Sequence, residues 1–198
     1  MEQHTRDVRG RRRVARVRVF LSYAHRDERL RVELEKHLSP LRRSALIETW
    51  NDRRITPGAD LDTEIDHHLE TADLVLLLIS PDFINSDYCY RREMRHALRR
   101  HAKGQARVIP IILRPVDWFR TPIGRLLATP RDAKPVTTWQ RRDDALLDVA
   151  TSIRRAAEEI ATQRTAAAGK PATARRNPLA PKEHTGVRQK NAAKRRTK

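Results

Sequence analysis

The stretch DLVLLLIS, Asp73 to Ser80, decides the fold of this 198-residue chain. Its middle, from Leu74 to Ile79, is an apolar run without a polar break, which is typical of a strand buried on both faces of a parallel sheet. The run is also far shorter than the roughly 20 residues that a membrane-spanning helix needs. We therefore expect it to be a central strand.

Strand-like runs alternate with helix-like stretches on both sides of this strand. Leucines at helical spacing predict a helix after the first strand, and similar patterns predict helices after the second, third and fifth. The other predicted strands are RVRVFLS (16–22), ALIETW (45–50), RVIPIIL (107–113) and a weak KPVTTW (134–139). This order predicts an α/β domain, with a flavodoxin-like five-stranded parallel sheet and helices on both faces. Pro110 would be costly at a central position of that sheet, because it cannot donate to the ladder.

A ligand crevice is expected where the winding of such a sheet reverses, beyond the carboxyl ends of strands 1 and 3. Those ends are SYAHRD (Ser22 to Asp27) and SPDFINSD (Ser80 to Asp87). Ser86 is a suitable N-cap for the helix that follows strand 3. Glu93 lies about two turns into this helix and is therefore expected near the crevice.

Glu93 stands among arginines in NSDYCYRREM (85–94), so its ion-pairing partners are the first question. Side chains three or four positions apart on a helix meet, and for Glu93 those positions hold Cys89, Tyr90, His96 and Ala97. None is Lys or Arg, so no cation of its own helix is expected to neutralise this carboxylate. Two alternatives stay open at this point. Glu93 is a working acid with a perturbed pKa, or it pairs with a basic residue elsewhere in the fold.

The formal charge of +17 is concentrated at the two ends of the chain. Residues 162–198 carry +10 and residues 1–15 carry +3, which leaves +4 for residues 16–161. Residues 162–198 have almost no large apolar side chains and are expected to form a disordered basic tail. We thus predict a basic, disordered arm over 1–15, one folded domain over 16–161 and the tail from Thr162. No aromatic residue interleaves the tail's charges, so we expect loose attraction to polyanions at most and no specific nucleic acid.

Several other classes of protein are disfavoured by what the sequence lacks. A single cysteine, Cys89, excludes an internal disulfide framework and a zinc cluster, and we interpret it as a packed thiol in a reducing, cytoplasmic protein. No apolar h-region follows Met1, so we do not expect a secretory signal there. The glycine-rich nucleotide-binding motifs and H-E-x-x-H are absent. The paired acids of a phosphoacceptor receiver are missing as well, because Ser22-Tyr23 and Ser80 stand in their places.

Four blocks in this order resemble a bacterial Toll/interleukin-1 receptor (TIR) domain over roughly 17–160. VFLSYAHRDE resembles the first strand and its turn, and WNDRRITPGADLDTEI resembles the loop after strand 2, often called the BB loop. ADLVLLLISPDFINSDYCYRREM resembles strand 3 and the catalytic helix. VIPIILRPVDWFRTPIGRLLATPRDAKPVTTW resembles the fourth and fifth units of the fold in their bacterial form.

The resemblance implies an activity and a set of residues. Many TIR domains cleave NAD⁺ at the nicotinamide–ribose bond with a glutamate on the third helix, and Glu93 matches that residue. NAD⁺ would be the substrate, with no cofactor. The implied substrate-binding residues are Ser22, Tyr23 and His25 in the first loop, Asp52 and Arg53 at the mouth, Ser86, and Trp118. For Trp118 the alternative is a hydrophobic cap over the end of the sheet, and the loop residues are equally compatible with a structural turn.

The sequence departs from the family pattern in the catalytic helix. The common spacing places an aromatic residue four positions before the glutamate, whereas here Cys89 is four before and Tyr88 five before. A second hypothesis is therefore kept beside the enzyme: a non-catalytic module that binds other TIR domains through the BB loop. In either case the implied partners are other TIR domains, by association with like or unlike chains.

Overall fold

The computed structural model describes residues 16–169. In this part of the chain four parallel strands form one sheet in the order β2-β1-β3-β4. The strands are β1 (Val17–Ser22), β2 (Ile47–Trp50), β3 (Leu74–Ile79) and β4 (Arg107–Ile112). The helices are α1 (Glu28–His37), α2 (Ser39–Arg43), α3 (Leu61–Thr71), α4 (Pro81–Asn85), α5 (Met94–Ala102) and α6 (Arg142–Gly169).

Strand β3 is the centre of the molecule, as its apolar run predicts. All six of its residues are completely buried, between β1 on one side and β4 on the other. Leu74, Leu76 and Leu78 point into a core shared with α1, α2 and α6. The alternate residues point into a second core shared with α3, α4 and α5. The predicted α/β fold class, with a parallel sheet covered on both faces, is confirmed.

The position of Pro110 shows how β4 tolerates a residue without a backbone donor. β4 is an edge strand, and the Pro110 carbonyl accepts from the Thr129 backbone N–H at 2.9 Å. Since the amide and carbonyl of one strand residue point to the same side, the missing donor faces this outer edge and not β3. The ladder between β3 and β4 is therefore unbroken across six residue pairs.

The predicted fifth strand, KPVTTW (134–139), is wrong. A 3₁₀ turn over Val136–Thr138 stands in its place, and the segment makes a backbone hydrogen bond to the sheet from Thr137 to Leu113. Proline at positions 130 and 135 removes ladder donors, and Asp132 has a positive φ of 60°. Such a backbone cannot follow β4 in extended form. The sheet edge is instead covered at Ile111 by a single bridge to Thr129.

The predicted boundary between domain and tail also needs a correction. The tail was expected to begin at Thr162, yet α6 continues without a break to Gly169. The segment TAAA (165–168) explains this, because alanine has the highest intrinsic helix propensity even where few apolar contacts are available. The predicted arm over 1–15 and the remainder of the predicted tail, 170–198, lie outside the described residues. None of the described helices is long and apolar enough to cross a membrane.

Candidate functional site

The helix that carries Glu93 begins with two successive caps. Ser80, directly after β3, accepts a hydrogen bond from the Phe83 N–H and starts α4. Ser86 accepts from the Cys89 N–H at 3.2 Å and starts the next segment, which confirms its predicted N-cap role. These caps turn the chain away from the sheet edge, so that the next helix passes beside the ends of β1 and β3.

The first turns of this helix are π-helical, from Asp87 to Glu93. The Met94 N–H donates to the Cys89 carbonyl, five residues earlier, where an α-helix would pair residues four apart. Regular α-helix, α5, begins at Met94. One extra residue is thereby accommodated between Tyr88 and Glu93, which is the same size as the departure from the family spacing. Both side chains line one cavity.

Glu93 is buried, with 6% of its surface exposed. The Ser22 hydroxyl donates a hydrogen bond to its carboxylate. The neighbouring arginines are engaged elsewhere, Arg91 with Asp87 at 2.9 Å and Arg92 with Asp62 and Asp66, each at 2.7 Å. Within residues 16–169 no cationic side chain forms an ion pair with Glu93. This part of the chain therefore offers no counter-ion of the kind that the alternative interpretation required.

The surroundings of Glu93 raise its pKa from the ordinary 4.5 to about 7. Burial is the largest cause, because it disfavours the charged form. The Ser22 hydrogen bond acts in the opposite direction and lowers the pKa, and the negative charge of Asp52 raises it again. A carboxyl group of this kind changes its charge near neutral pH, which is a property of functional sites.

Glu93 faces a cavity of about 540 Å³ beyond the carboxyl end of β1, which we call the Glu93 cavity. Six of the eight predicted site residues line it, namely Tyr23, His25, Asp52, Arg53, Ser86 and Glu93. Leu61 and Ile65 of α3 and Phe20 of β1 supply apolar surface. A cavity of this size, mostly apolar with a few converging polar groups, is typical of a small-molecule site.

Ser22 and Trp118 are placed differently from expectation. Ser22 is 1% exposed and does not line the cavity; it lies behind Glu93 and positions it from the end of β1. Trp118 is 4% exposed and packs in the core, with its ring stacked on Phe119 at 4.2 Å. It does not line the Glu93 cavity. Its burial matches the alternative interpretation, a hydrophobic cap, and it is Phe119 that is exposed.

Tyr23, His25 and Asp52 form a polar cluster on one wall. The Tyr23 hydroxyl donates to Asp52 at 2.7 Å, and His25 Nδ1 lies 3.7 Å from the other oxygen of the same carboxylate. Burial and the hydrogen bond to Asp52 raise the pKa of Tyr23 well above its usual range, so it remains a neutral donor. This cluster joins the loop after β1 to the loop after β2.

Arg53 is held on the outside of this wall by α1. Its guanidinium contacts Glu28 through both Nε and Nη2, and Glu28 in turn pairs with the buried Arg31 at 3.0 Å. These contacts lower the pKa of Glu28, chiefly through the Arg53 hydrogen bond. Arg53 is thus anchored at the mouth of the cavity, as expected for its position, with its charge already compensated.

Sequence reasoning missed Tyr88 as a cavity residue and placed Cys89 correctly as a packed thiol. Cys89 is buried, and its Sγ donates to the Tyr23 carbonyl at 3.4 Å. Burial, followed by the charge of Glu93, raises the pKa of Cys89 to about 11, so it is an unreactive thiol at neutral pH. The sequence did contain a signal for Tyr88, because this residue stands only one position away from the aromatic position of the family. The extra residue of a π turn compensates for that difference in spacing.

A second buried carboxylate, Asp27, connects the strand ends beside the cavity. Asp27 accepts a hydrogen bond from the Ser80 hydroxyl, and Arg114 Nε lies 3.0 Å from its other oxygen. Arg114 also contacts Asp82, a further cavity residue. These contacts connect the segments that follow β1, β3 and β4.

No cluster suited to a metal ion occurs among the described side chains.

The fold and the site together define a class of α/β domain. It has a parallel sheet, and beside the point where the winding reverses it buries a carboxylate, Glu93, that has no cationic partner within residues 16–169. The family model described as "TIR domain" matches residues 19–149, more than half of the chain. The chain belongs to the TIR-domain family, which confirms the resemblance seen in the sequence.

A bacterial relative supports this assignment. "Uncharacterized protein y4lF" of Sinorhizobium fredii is 55% identical over 142 residues. The match covers 72% of this chain and 44% of that protein. The chain therefore spans less than half the length of the curated relative that it matches.

Two solved structures are among those found similar to this chain. The TIR domain of the Toll-related receptor TRR-2 from Hydra magnipapillata is 23% identical, with a TM-score of 0.44, over 56% of this chain and 80% of that one. The second comes from the structure of the activated Roq1 resistosome directly recognizing the pathogen effector XopQ (TIR domains). It is 16% identical, with a TM-score of 0.43, and the match covers 77% of this chain and 99% of that one.

Proposed function

We propose that this protein is an NAD⁺ nucleosidase, which releases nicotinamide from NAD⁺ and is activated by self-association in signalling or defence. The observation that carries the proposal is the Glu93 carboxylate, buried beside a cavity of about 540 Å³ and lacking a cationic partner within residues 16–169. Family membership supports it through the resemblance of Glu93 to the glutamate of NAD⁺-cleaving members. The single buried cysteine is compatible with a cytoplasmic setting.

The chemistry suits a single carboxylate. The bond between ribose C1′ and the nicotinamide nitrogen breaks, and its electron pair neutralises the pyridinium, so the leaving group needs no general acid. Positive charge develops on the ribose in an oxocarbenium-like state, as in glycoside hydrolysis. Water then adds to C1′ and loses a proton. The overall reaction converts NAD⁺ and water into nicotinamide, ADP-ribose and a proton.

Glu93 acts electrostatically in this proposal. A carboxylate held in a low-dielectric cavity stabilises a developing cation far more than it would in water. Ser22 keeps the carboxylate in place from behind, and the raised pKa of about 7 makes the charged, active form increase with pH in the neutral range. The Tyr23–His25–Asp52 cluster offers polar contacts for the ribose and carboxamide.

The test follows NAD⁺ loss and nicotinamide release by chromatography over a range of protein concentrations. The full chain is compared with Glu93→Gln and with Glu158→Gln, which changes an exposed glutamate of α6. We expect release by the parent and by Glu158→Gln, rising more than linearly with concentration, and at least 100-fold less from Glu93→Gln. Equal rates from all three proteins would contradict the role of Glu93.

The rival function is a TIR module that associates with other TIR domains without chemistry. Its distinguishing result is a parent protein that self-associates, as measured by sedimentation, but releases no nicotinamide over the same concentrations. Association with other TIR domains belongs to both hypotheses. Glu93 favours the enzyme, because burying a carboxylate without a cationic partner in residues 16–169 costs folding stability, and association with other TIR domains does not require that cost.

A further inference from the structure

The charged side chains around the Glu93 cavity do not by themselves favour an anionic ligand. Among the described residues that line it, Asp52, Asp82 and Glu93 are acidic, and Arg26 and Arg53 are the arginines. NAD⁺ carries two negative charges on its diphosphate, and like charges repel one another strongly where the dielectric constant is low. A cavity that accepts this substrate therefore needs a cation that faces the diphosphate.

Arg53 is the less suitable of the two arginines. Its Nε lies 2.8 Å from an oxygen of Glu28, and its Nη2 contacts the same oxygen. The charge of Arg53 is therefore compensated by a carboxylate of α1. A phosphate at Arg53 would have to compete with Glu28 for the same donors.

The guanidinium of Arg26 is available for a ligand. The side chain is 84% exposed, and its Nε lies 3.7 Å from one oxygen of Asp82, which is too far for a hydrogen bond. The other oxygen of Asp82 is engaged by Arg114. Since Arg114 already compensates the charge of Asp82, Arg26 is the arginine of the cavity wall whose charge is least engaged by the described residues.

The backbone that carries Arg26 is fixed beside the cavity. Arg26 lies in a 3₁₀ turn over His25–Asp27, shortly after the end of β1. Asp27, the next residue, is buried, accepts a hydrogen bond from the Ser80 hydroxyl and contacts Arg114 at 3.0 Å. These contacts tie the turn to the segments after β3 and β4. The exposed cation of Arg26 is therefore attached at a defined position of the cavity wall.

We propose that Arg26 is a substrate-binding residue whose guanidinium holds the diphosphate of NAD⁺ at the mouth of the Glu93 cavity. This inference rests on the proposed function, in which Glu93 faces the ribose that bears nicotinamide. The diphosphate is attached to C5′ of that ribose, away from the C1′–N bond that breaks. The planar fork of arginine suits two phosphate oxygens. Arg26 contributes affinity for the anionic part of the substrate, and Glu93 stabilises the charge that develops on the ribose.

The test removes one positive charge at two matched positions. Arg26→Gln is compared with Arg29→Gln, which removes the same charge from an 88% exposed arginine of α1 that does not line the cavity. Affinities are measured by calorimetry on the full chain in the Glu93→Gln background, so that the ligand is not consumed. We expect Arg26→Gln to weaken NAD⁺ binding about 5- to 10-fold, because charge-assisted hydrogen bonds to phosphate are lost. Arg29→Gln should leave the NAD⁺ affinity unchanged.

A ligand without phosphate separates the proposed contact from other effects of the substitution. Nicotinamide riboside retains the ribose and nicotinamide but has no phosphate. Arg26→Gln should therefore bind nicotinamide riboside as tightly as the protein that keeps Arg26. The NAD⁺ affinity should also fall with rising salt concentration, and it should fall less steeply in Arg26→Gln, because salt screens the attraction between exposed charges.

The outcomes distinguish this inference from the function on which it rests. Equal NAD⁺ affinity of Arg26→Gln and Arg29→Gln overturns the role of Arg26 even if the parent releases nicotinamide. An equal loss of affinity for NAD⁺ and for nicotinamide riboside in Arg26→Gln overturns it as well, because the loss then does not come from phosphate. If the parent binds NAD⁺ without cleaving it, the proposed reaction fails, and the affinity comparison still decides the role of Arg26. A parent that does not bind NAD⁺ contradicts both.

Discussion

The Ser22 hydroxyl donates a hydrogen bond to the Glu93 carboxylate, across 71 positions of the chain. Ser22 ends β1, and Glu93 lies on the helix after β3, so the contact joins two neighbouring strand ends at the point where the winding of the sheet reverses. It lowers the pKa of a carboxyl group whose pKa burial raises. Ser22 thus favours the charged form of Glu93 without entering the cavity.

Ser22→Ala should shift the pH profile of NAD⁺ cleavage upward. Loss of the hydrogen bond leaves burial and the charge of Asp52 unopposed by this serine, so the pKa of Glu93 rises above its present value of about 7. Loss of a hydrogen bond to a charged carboxylate raises its pKa by about one unit or somewhat more. Initial rates from pH 5 to 9 should show severalfold lower activity at pH 7 and near-parental activity at pH 9. Ser44→Ala, which changes an exposed serine at the C-cap of α2, outside the cavity lining, is the control.

Asp52→Asn should shift the same profile in the opposite direction. The negative charge of Asp52 raises the pKa of Glu93, and asparagine removes the charge while keeping an oxygen for the Tyr23 hydroxyl. The midpoint of activity should therefore fall below about 7. Asp144→Asn, at the start of α6, serves as the matched change away from the cavity. A midpoint that rises, or that moves equally in both variants, would show that Asp52 does not act on Glu93 through its charge.

Glu93→Gln should make folding stability less dependent on pH. The folded-state pKa of Glu93 is raised above its ordinary 4.5 to about 7, so the native protein retains a proton that the unfolded chain releases between these values. Stability from this group is therefore present below about pH 4.5 and is lost as pH rises to about 7, by roughly 3 kcal/mol at most. Urea unfolding at pH 5 and pH 8 measures the free energy of unfolding of both proteins. The difference, variant minus parent, should be larger at pH 8 than at pH 5. The same difference at both pH values would contradict a raised pKa of Glu93 in the folded protein.

The sequence could predict the parts of this architecture that rest on composition and periodicity. The unbroken run of β3 and the alternation around it led to the sheet, the reversal point and the neighbourhood of Glu93. The π turn was not accessible in the same way, because π turns are rare single-turn insertions in helices and have no repeating sequence pattern of their own. The structure accommodates the extra residue in the π-helical segment, and both Tyr88 and Glu93 line the cavity.

The failures have local physical causes. A short apolar pattern at 134–139 resembled a strand, but Pro135 removes a backbone donor from the segment, and Val136–Thr138 form a 3₁₀ turn. Low hydrophobicity placed the tail boundary at Thr162, whereas alanine propensity extends α6 to Gly169. The direction of a side chain at a strand end is also invisible in sequence. Ser22 and Tyr23 are adjacent, yet one lies behind Glu93 and the other lines the cavity.

Arg100→Met should destabilise the fold through the end of α3. The buried Arg100 guanidinium donates to the carbonyls of Leu69 and Ala72, each at 2.7 Å, and to that of Gln105 at 3.3 Å. Methionine keeps most of the apolar stem but leaves these carbonyls without their donor, at a cost of about 2–3 kcal/mol. The check is the urea midpoint at an unchanged slope. Arg99→Met, an exposed neighbour on α5, should change stability by less than about 0.5 kcal/mol. Equal midpoints for the two variants would mean that Arg100 does not cap α3.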